Sequence, residues 1–128
     1  MSYYFSKQVQ ATFQEAIDSV TEGLKAEGFG ILTEIDVKET LKKKLGVDFR
    51  KYRILGACNP PFAYRALLAE PHIGTMLPCN VIVQEMEDGT VEVAAIDPLS
   101  SMQAIVNSEL QPIAEEIRAK LKLVIERL

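Results

Sequence analysis

Residues that usually build metal and disulfide sites are scarce in this sequence: its 128 residues include two cysteines, one histidine and no tryptophan. Two cysteines do not make a disulfide scaffold. A structural zinc site needs about four ligands, and the sequence has neither a Cys-x-x-Cys pair nor a second histidine. We therefore expect no metal and no cofactor.

Long apolar runs and common catalytic motifs are also missing. The longest run has about five apolar residues, whereas a membrane-spanning helix needs about 18, and residues 1–13 are too polar for a secretory signal peptide. No glycine-rich phosphate loop, Gly-x-Ser-x-Gly elbow or His-Glu-x-x-His helix is present, so the usual signals of several enzyme classes are lacking. We expect a cytoplasmic protein without membrane contact.

The charge balance is acidic, with 14 Lys and Arg against 18 Asp and Glu and a net charge of −4. A general nucleic-acid-binding protein would carry a basic excess, so the balance argues against that partner. Residues 38–53 are the exception, because they include seven basic and two acidic residues. This segment can dock a phosphate, an acidic partner or one strand of nucleic acid, but a solvated helix face and loop explains it more simply.

Hydrophobic periodicity predicts a long amphipathic helix near each end of a single domain, residues 1–128. Thr12 and Glu15 form a capping box that starts a helix over residues 12–27. The terminal helix carries an apolar stripe from Leu110 to Leu128, and Pro112 fits it only in the first turn. Shorter helical segments are predicted over residues 38–45, 62–69 and 99–106.

Alternating patterns predict five strands, over residues 3–9, 30–37, 52–58, 79–86 and 90–96, with a hairpin turn at Asp88-Gly89 and a loop over residues 71–78. In the second strand, Glu34 and Asp36 are predicted on a wet outer face, opposite Ile31, Thr33, Ile35 and Val37. Paired carboxylates at this spacing can hold a cation or divide acid and base roles, but a solvated face explains them. The element order, β-α-β-β-β-β-α with short helical inserts, predicts a two-layer α+β domain with an antiparallel sheet.

Four segments resemble, in order, the family catalogued as domain of unknown function 302. They are Gly30-Ile31-Leu32-Thr33-Glu34-Ile35-Asp36-Val37-Lys38, Tyr52-Arg53-Ile54-Leu55-Gly56-Ala57-Cys58-Asn59-Pro60-Pro61, Leu77-Pro78-Cys79-Asn80-Val81 and Ala95-Ile96-Asp97-Pro98. The resemblance runs through nearly the whole chain and implies a small bacterial or archaeal domain. It also implies a TATA-binding-protein-like fold and a dimer. It brings no activity with it, since function depends on the site and not on the architecture.

Cys58 and Cys79 are the best candidates for chemistry, because each ends or begins a predicted strand and each precedes an asparagine, Asn59 and Asn80. A helix that starts after Cys58 would lower the pKa of its thiol, and neighbouring strands would bring the two thiols together as a redox pair. The alternative is that both are small buried hydrophobic residues, with the asparagines as caps and turn residues. His72 can pair with a cysteine, but an exposed loop histidine is the simpler interpretation.

Residues 60–68 are apolar on nearly every side, and Phe62 is their largest apolar side chain. A helix without a polar face packs against a ligand cavity, a second subunit or the core, and we favour subunit contact. The sequence thus predicts a homodimeric binding module with a pocket or interface near Cys58, Asn59, Phe62, Cys79 and Asn80. Its ligand would be small and apolar or anionic. The alternative is a thiol-dependent enzyme or redox sensor that uses Cys58 and Cys79.

Overall fold

Five strands rich in β-branched residues form one antiparallel sheet in the computed structural model, which describes residues 2–128. They are β1 (Tyr4–Val9), β2 (Gly30–Asp36), β3 (Tyr52–Cys58), β4 (Cys79–Glu85) and β5 (Val91–Ile96). Their order across the sheet is β1-β5-β4-β3-β2, which puts the first two strands at opposite edges. The α+β class and the antiparallel sheet that the sequence predicts are confirmed.

Three of the five helices within residues 2–128 begin at a side-chain cap, from Thr12, Asp36 and Asp97. The five are α1 (Phe13–Ala26), α2 (Val37–Leu45), α3 (Pro60–Ala69), α4 (Pro98–Ser101) and α5 (Leu110–Glu126). The predicted capping box is present, since Thr12 Oγ1 accepts from Glu15 N at 3.1 Å and Glu15 Oε1 accepts from Thr12 N at 2.9 Å. Pro112 lies in the first turn of α5, where its missing N–H costs no intrahelical hydrogen bond.

Two predictions about the short segments are wrong. The segment predicted as a loop forms a 3-10 helix, Pro71–Met76, because the Glu70 carboxylate accepts from His72 N and caps its first turn. The helix predicted over residues 99–106 is shorter, spanning Pro98–Ser101. After it the chain turns, and Asn107 Nδ2 donates to Ala69 O at 2.8 Å, which fixes this stretch against the end of α3.

A bulge in β2 changes which residues share a face of the sheet. Ile31 pairs with Ala57, but the register shifts before Thr33, which pairs with Gly56. Ile31 therefore packs against the core, whereas Thr33 and Ile35 lie on the opposite side, and Ile35 is 47% exposed. The prediction that Ile31 and Ile35 share one face is wrong, since a bulge inverts the alternation that follows it.

The main core lies between the sheet and the two long helices, α1 and α5. Its inward-facing strand residues include Leu55, Val81, Val83, Val93 and Ala95. A second, smaller cluster joins α3, the 3-10 helix and the start of α5, and is built from Ala66, Ile73, Leu110 and Ile113. Across residues 2–128, no helix combines the length and the hydropathy that crossing a bilayer requires.

Candidate functional site

An apolar cavity of about 190 Å³ lies at one end of the sheet, beneath α3 and α5. It is lined by Phe29, Leu32, Ala57, Cys58, Asn59, Phe62, Ala63, Ala66, Leu67, Leu77, Pro78, Cys79, Pro98, Met102, Leu110, Ile113, Ala114 and Ile117. None of these side chains is charged. Four of the five residues predicted from the sequence as a binding site are among them, and Asn80 is not.

The cavity exists because small side chains meet where two hydrophobic clusters adjoin. Ala57 belongs to the main core and Ala66 to the smaller cluster, while Phe62 packs against both. Ala114 of α5 is also buried, at 4% exposure. Helix and strand backbones hold these alanines apart, and side chains of this size do not fill the space between them. Leu32 and Leu67 line the cavity and are 68% and 45% exposed, so its lining reaches the protein surface at these residues.

Cys58 and Cys79 line this cavity from neighbouring strands, and both are free thiols. Cys79 pairs with Ala57, so Cys58 is one residue out of register with it. The two thiols therefore face the same cavity without being joined in a disulfide. Burial, and to a smaller extent the nearby Cys58, raises the pKa of the Cys79 thiol from 9.0 to about 11. Cys79 is therefore a protonated wall residue at neutral pH and not a nucleophile.

Asn59 holds the cavity's frame together. It occupies the N-cap position of α3, but its side chain makes no capping hydrogen bond. Instead, its Nδ2 donates to Glu27 O at 3.1 Å, which joins the start of α3 to the end of α1. The sequence predicts a cap at this position and cannot show that the amide reaches across 32 residues. Gly28 beside it has a φ of +87°, which favours glycine, and an added Cβ would lie 3.2 Å from Asn59 Nδ2.

Asn80 lies on the other face of the sheet, where it is exposed. Its partner in β3 is Gly56, and Gly56 has no room for a side chain. A Cβ there would lie 2.1 Å from Thr33 Oγ1 and 2.7 Å from Pro78 Cγ. The two Cys-Asn pairs thus differ in role, because Asn59 is buried and hydrogen-bonded to the end of α1, whereas Asn80 is a surface residue.

His72 lies in the 3-10 helix that precedes β4. Its side chain is 91% exposed, and Nδ1 is 3.6 Å from Glu70 Oε2. It does not line the cavity, so nothing in this arrangement makes a Cys-His pair.

The basic segment over residues 38–53 is largely paired with its own surroundings. Lys38 Nζ donates to Phe49 O, Lys42 bonds Asp48 at 3.1 Å, and Lys43 lies 3.0 Å from Glu39. Arg50 packs over the Phe49 ring, with 4.4 Å from its Cζ to the ring centroid. The solvated helix face and loop predicted for this segment fits these contacts.

Glu34 and Asp36 share one face of β2, as predicted, but that face is the one that carries the helices. Both form ion pairs with Arg53, which lies 3.5 Å from Asp36 Oδ2 and packs over the Phe13 ring of α1. Arg53 bridges the two carboxylates, so the three side chains form a salt-bridge cluster at the sheet edge. Within residues 2–128, no three His, Cys, Asp or Glu side chains are grouped to hold a metal ion.

Sequence reasoning missed the half of the cavity that α4 and α5 supply. Met102, Ile113, Ala114 and Ile117 all line it. Three of these belong to the terminal helix stripe, which the pattern assigns to the core in general. An alanine within a stripe of larger residues was the one available signal, because it marks a place where the stripe leaves space.

Comparisons with known proteins agree with this architecture. Residues 5–128 match the family described as Domain of unknown function DUF302. The chain belongs to this family. A crystal structure of an uncharacterized conserved DUF302 protein from Bacillus stearothermophilus is similar at 31% identity and a TM-score of 0.92, covering 99% of this chain and 98% of that one. No curated protein matches the chain. The chain is thus a DUF302 domain of unknown function, as the sequence predicts.

Proposed function

We propose that this DUF302 protein is a binding module that holds a small apolar molecule in the cavity beneath α3 and α5. The observation that carries the proposal is an uncharged cavity of about 190 Å³. An engineered cavity of about 150 Å³ with similar walls stays dry and binds benzene. By that comparison, this cavity accommodates an apolar body of about six to eight carbon atoms. The thiol-dependent alternative has no support, because Cys79 is buried and its pKa is raised.

Binding of 1-hexanol, followed by isothermal titration calorimetry, tests the proposal. The decisive variant is Ala114→Leu, which adds three carbon atoms to a wall of the cavity and is expected to abolish binding. Its matched control is Ala119→Leu on the same helix, where the side chain is exposed and binding should be unchanged. Ala66→Leu fills the cavity from the α3 side and replaces Ala114→Leu in this test if Ala114→Leu does not unfold cooperatively. Equal affinity in wild type and in a folded cavity variant would refute the proposal.

We also propose that the protein forms a homodimer. The exposed side of α3 supports this, because Tyr64 and Leu68 lie one helical turn apart and are 66% and 68% exposed. Apolar patches of this kind on a helix that is not otherwise covered mark interaction sites. Light scattering after size exclusion should give twice the mass of the chain for the wild type. The double variant Tyr64→Lys, Leu68→Lys should give the mass of a single chain. A wild-type mass of one chain would contradict the proposal.

The proposal also includes a cytoplasmic location, a bacterial source and a likeness to TATA-binding-protein-like folds. Two free thiols fit a reducing compartment such as the cytoplasm. The relative from Bacillus stearothermophilus supports a bacterial setting. The strand order, with both long helices packed on one face, supports the likeness to TATA-binding-protein-like folds. Fractionation of the source cells tests the first of these.

A further inference from the structure

The interior of the cavity can take only the apolar part of a ligand. Asn59 has the one side-chain amide among the lining residues, and this amide already donates to Glu27 O. In the part of the chain that the structure describes, one buried side-chain nitrogen or oxygen lacks a hydrogen-bond partner, Arg53 Nε, and Arg53 does not line the cavity. A charged group transferred into this space would lose its hydration without compensation. Any polar end of the ligand must therefore lie outside the lining.

Phe62 connects the cavity to two cations. Its ring forms part of the lining, and the ring is also flanked by Arg65, with Cζ at 5.2 Å from the centroid, and by Lys120, with Nζ at 5.9 Å. Arg65 belongs to α3 and Lys120 to α5, so the two cations lie at the seam between the helices. A group that passes the edge of Phe62 therefore leaves an apolar space and meets positive charge.

The carboxylates that accompany these cations hold them loosely. Arg65 Nη1 is 3.7 Å from Glu116 Oε2, and Lys120 Nζ is 3.8 Å from Glu27 Oε1. Both distances exceed the range of a hydrogen bond. Glu27 also has a shorter contact, from Arg127 Nη1 to its Oε2 at 3.3 Å, so it keeps a cation when Lys120 turns elsewhere. Exchange of these contacts for a ligand anion thus leaves no buried charge unpaired.

From these contacts we infer that the ligand is an amphiphilic monocarboxylate, with its apolar body in the cavity and its carboxylate at Arg65 and Lys120 beside Phe62. This inference rests on the proposed function and adds the chemical class of the ligand. An apolar body alone would use the cavity, but the two cations at its Phe62 wall favour an anion over a neutral or cationic head group. Straight-chain and aromatic acids of about six to eight carbon atoms share this chemistry.

The test compares three probes of six carbon atoms each: hexanoate, 1-hexanol and hexylammonium. Their dissociation constants are measured by calorimetry at low ionic strength, where partly exposed ion pairs are screened least. Hexanoate should bind most tightly and hexylammonium most weakly. In Lys120→Gln and in Arg65→Gln, hexanoate affinity should fall by about threefold to fivefold, as for a partly exposed ion pair, while 1-hexanol affinity stays the same. Lys122→Gln is the matched control, because Lys122 is an exposed lysine of the same helix.

Each outcome decides a different claim. If 1-hexanol binds but hexanoate binds no more tightly, or if the two variants weaken both probes equally, the carboxylate site is refuted and the apolar cavity stands. If none of the probes binds, the proposed function fails and the inference fails with it. If hexanoate binds, a comparison with benzoate shows whether an alkyl chain or an aromatic ring fits the cavity better.

Discussion

Replacing Asn59 by alanine removes the hydrogen bond that joins the start of α3 to the end of α1, from Asn59 Nδ2 to Glu27 O at 3.1 Å. Asn59 is 7% exposed, so water does not replace the lost amide. A hydrogen bond of this kind contributes about 1 kcal/mol, and leaving its partner unsatisfied raises the cost to about 2 kcal/mol. For a domain of this size, a loss of about 2 kcal/mol lowers Tm by about 7 °C.

Asn80→Ala is the matched control, since Asn80 also follows a cysteine but is exposed on the opposite face of the sheet. Its effect on the free energy of unfolding should stay within about 0.5 kcal/mol. Urea unfolding followed by circular dichroism measures both variants, and the slope with urea should stay the same while the midpoint of Asn59→Ala falls. Equal midpoints for the two variants would refute the role assigned to Asn59.

Two further predictions concern the same motifs. Gly56→Ala should destabilise the fold by about 1 to 3 kcal/mol in urea unfolding, because the added Cβ would lie 2.7 Å from Pro78 Cγ. Gly30→Ala is the control and should be nearly neutral, since a Cβ there meets nothing within 4 Å. Equal losses of stability in the two variants would contradict the packing described. The pKa of Cys79, raised to about 11, predicts that iodoacetamide at pH 8 modifies Cys58 and spares Cys79 in the native protein, which peptide mass spectrometry reports. Because the unfolded thiol loses its proton at lower pH than the folded one, stability should fall between pH 9 and pH 11, and Cys79→Ala should reduce that fall; an unchanged pH profile would contradict the burial of this thiol.

Local signals made most of the fold predictable. The capping box of Thr12 and Glu15, the stripe of α5 and the alternating strands each depend on neighbours in the sequence, and all three are confirmed. The bulge between Ile31 and Thr33 was not predictable, because inserting one residue leaves the local alternation intact and only the partner strand reveals the shift.

The candidate site was predictable in part for the same reason. The Cys-Asn motifs and Phe62 drew attention to the correct end of β3 and β4, where Cys58, Asn59 and Cys79 line the cavity. The two asparagines look alike in sequence, but the pleat sends Asn80 to the other face. The contribution of α5 depends on tertiary packing across about 50 residues of chain, and the alanine in its stripe marks a space without showing which residues face it.

The central claim is that a small apolar molecule occupies this cavity, and a methyl NMR titration tests it most directly. With alanine methyl groups labelled, addition of 1-hexanol should shift the signals of Ala57, Ala66 and Ala114, which line the cavity. The signal of Ala119, exposed on α5, should stay in place. Shifts confined to Ala119 and other exposed alanines, or no shifts at saturating 1-hexanol, would contradict the account.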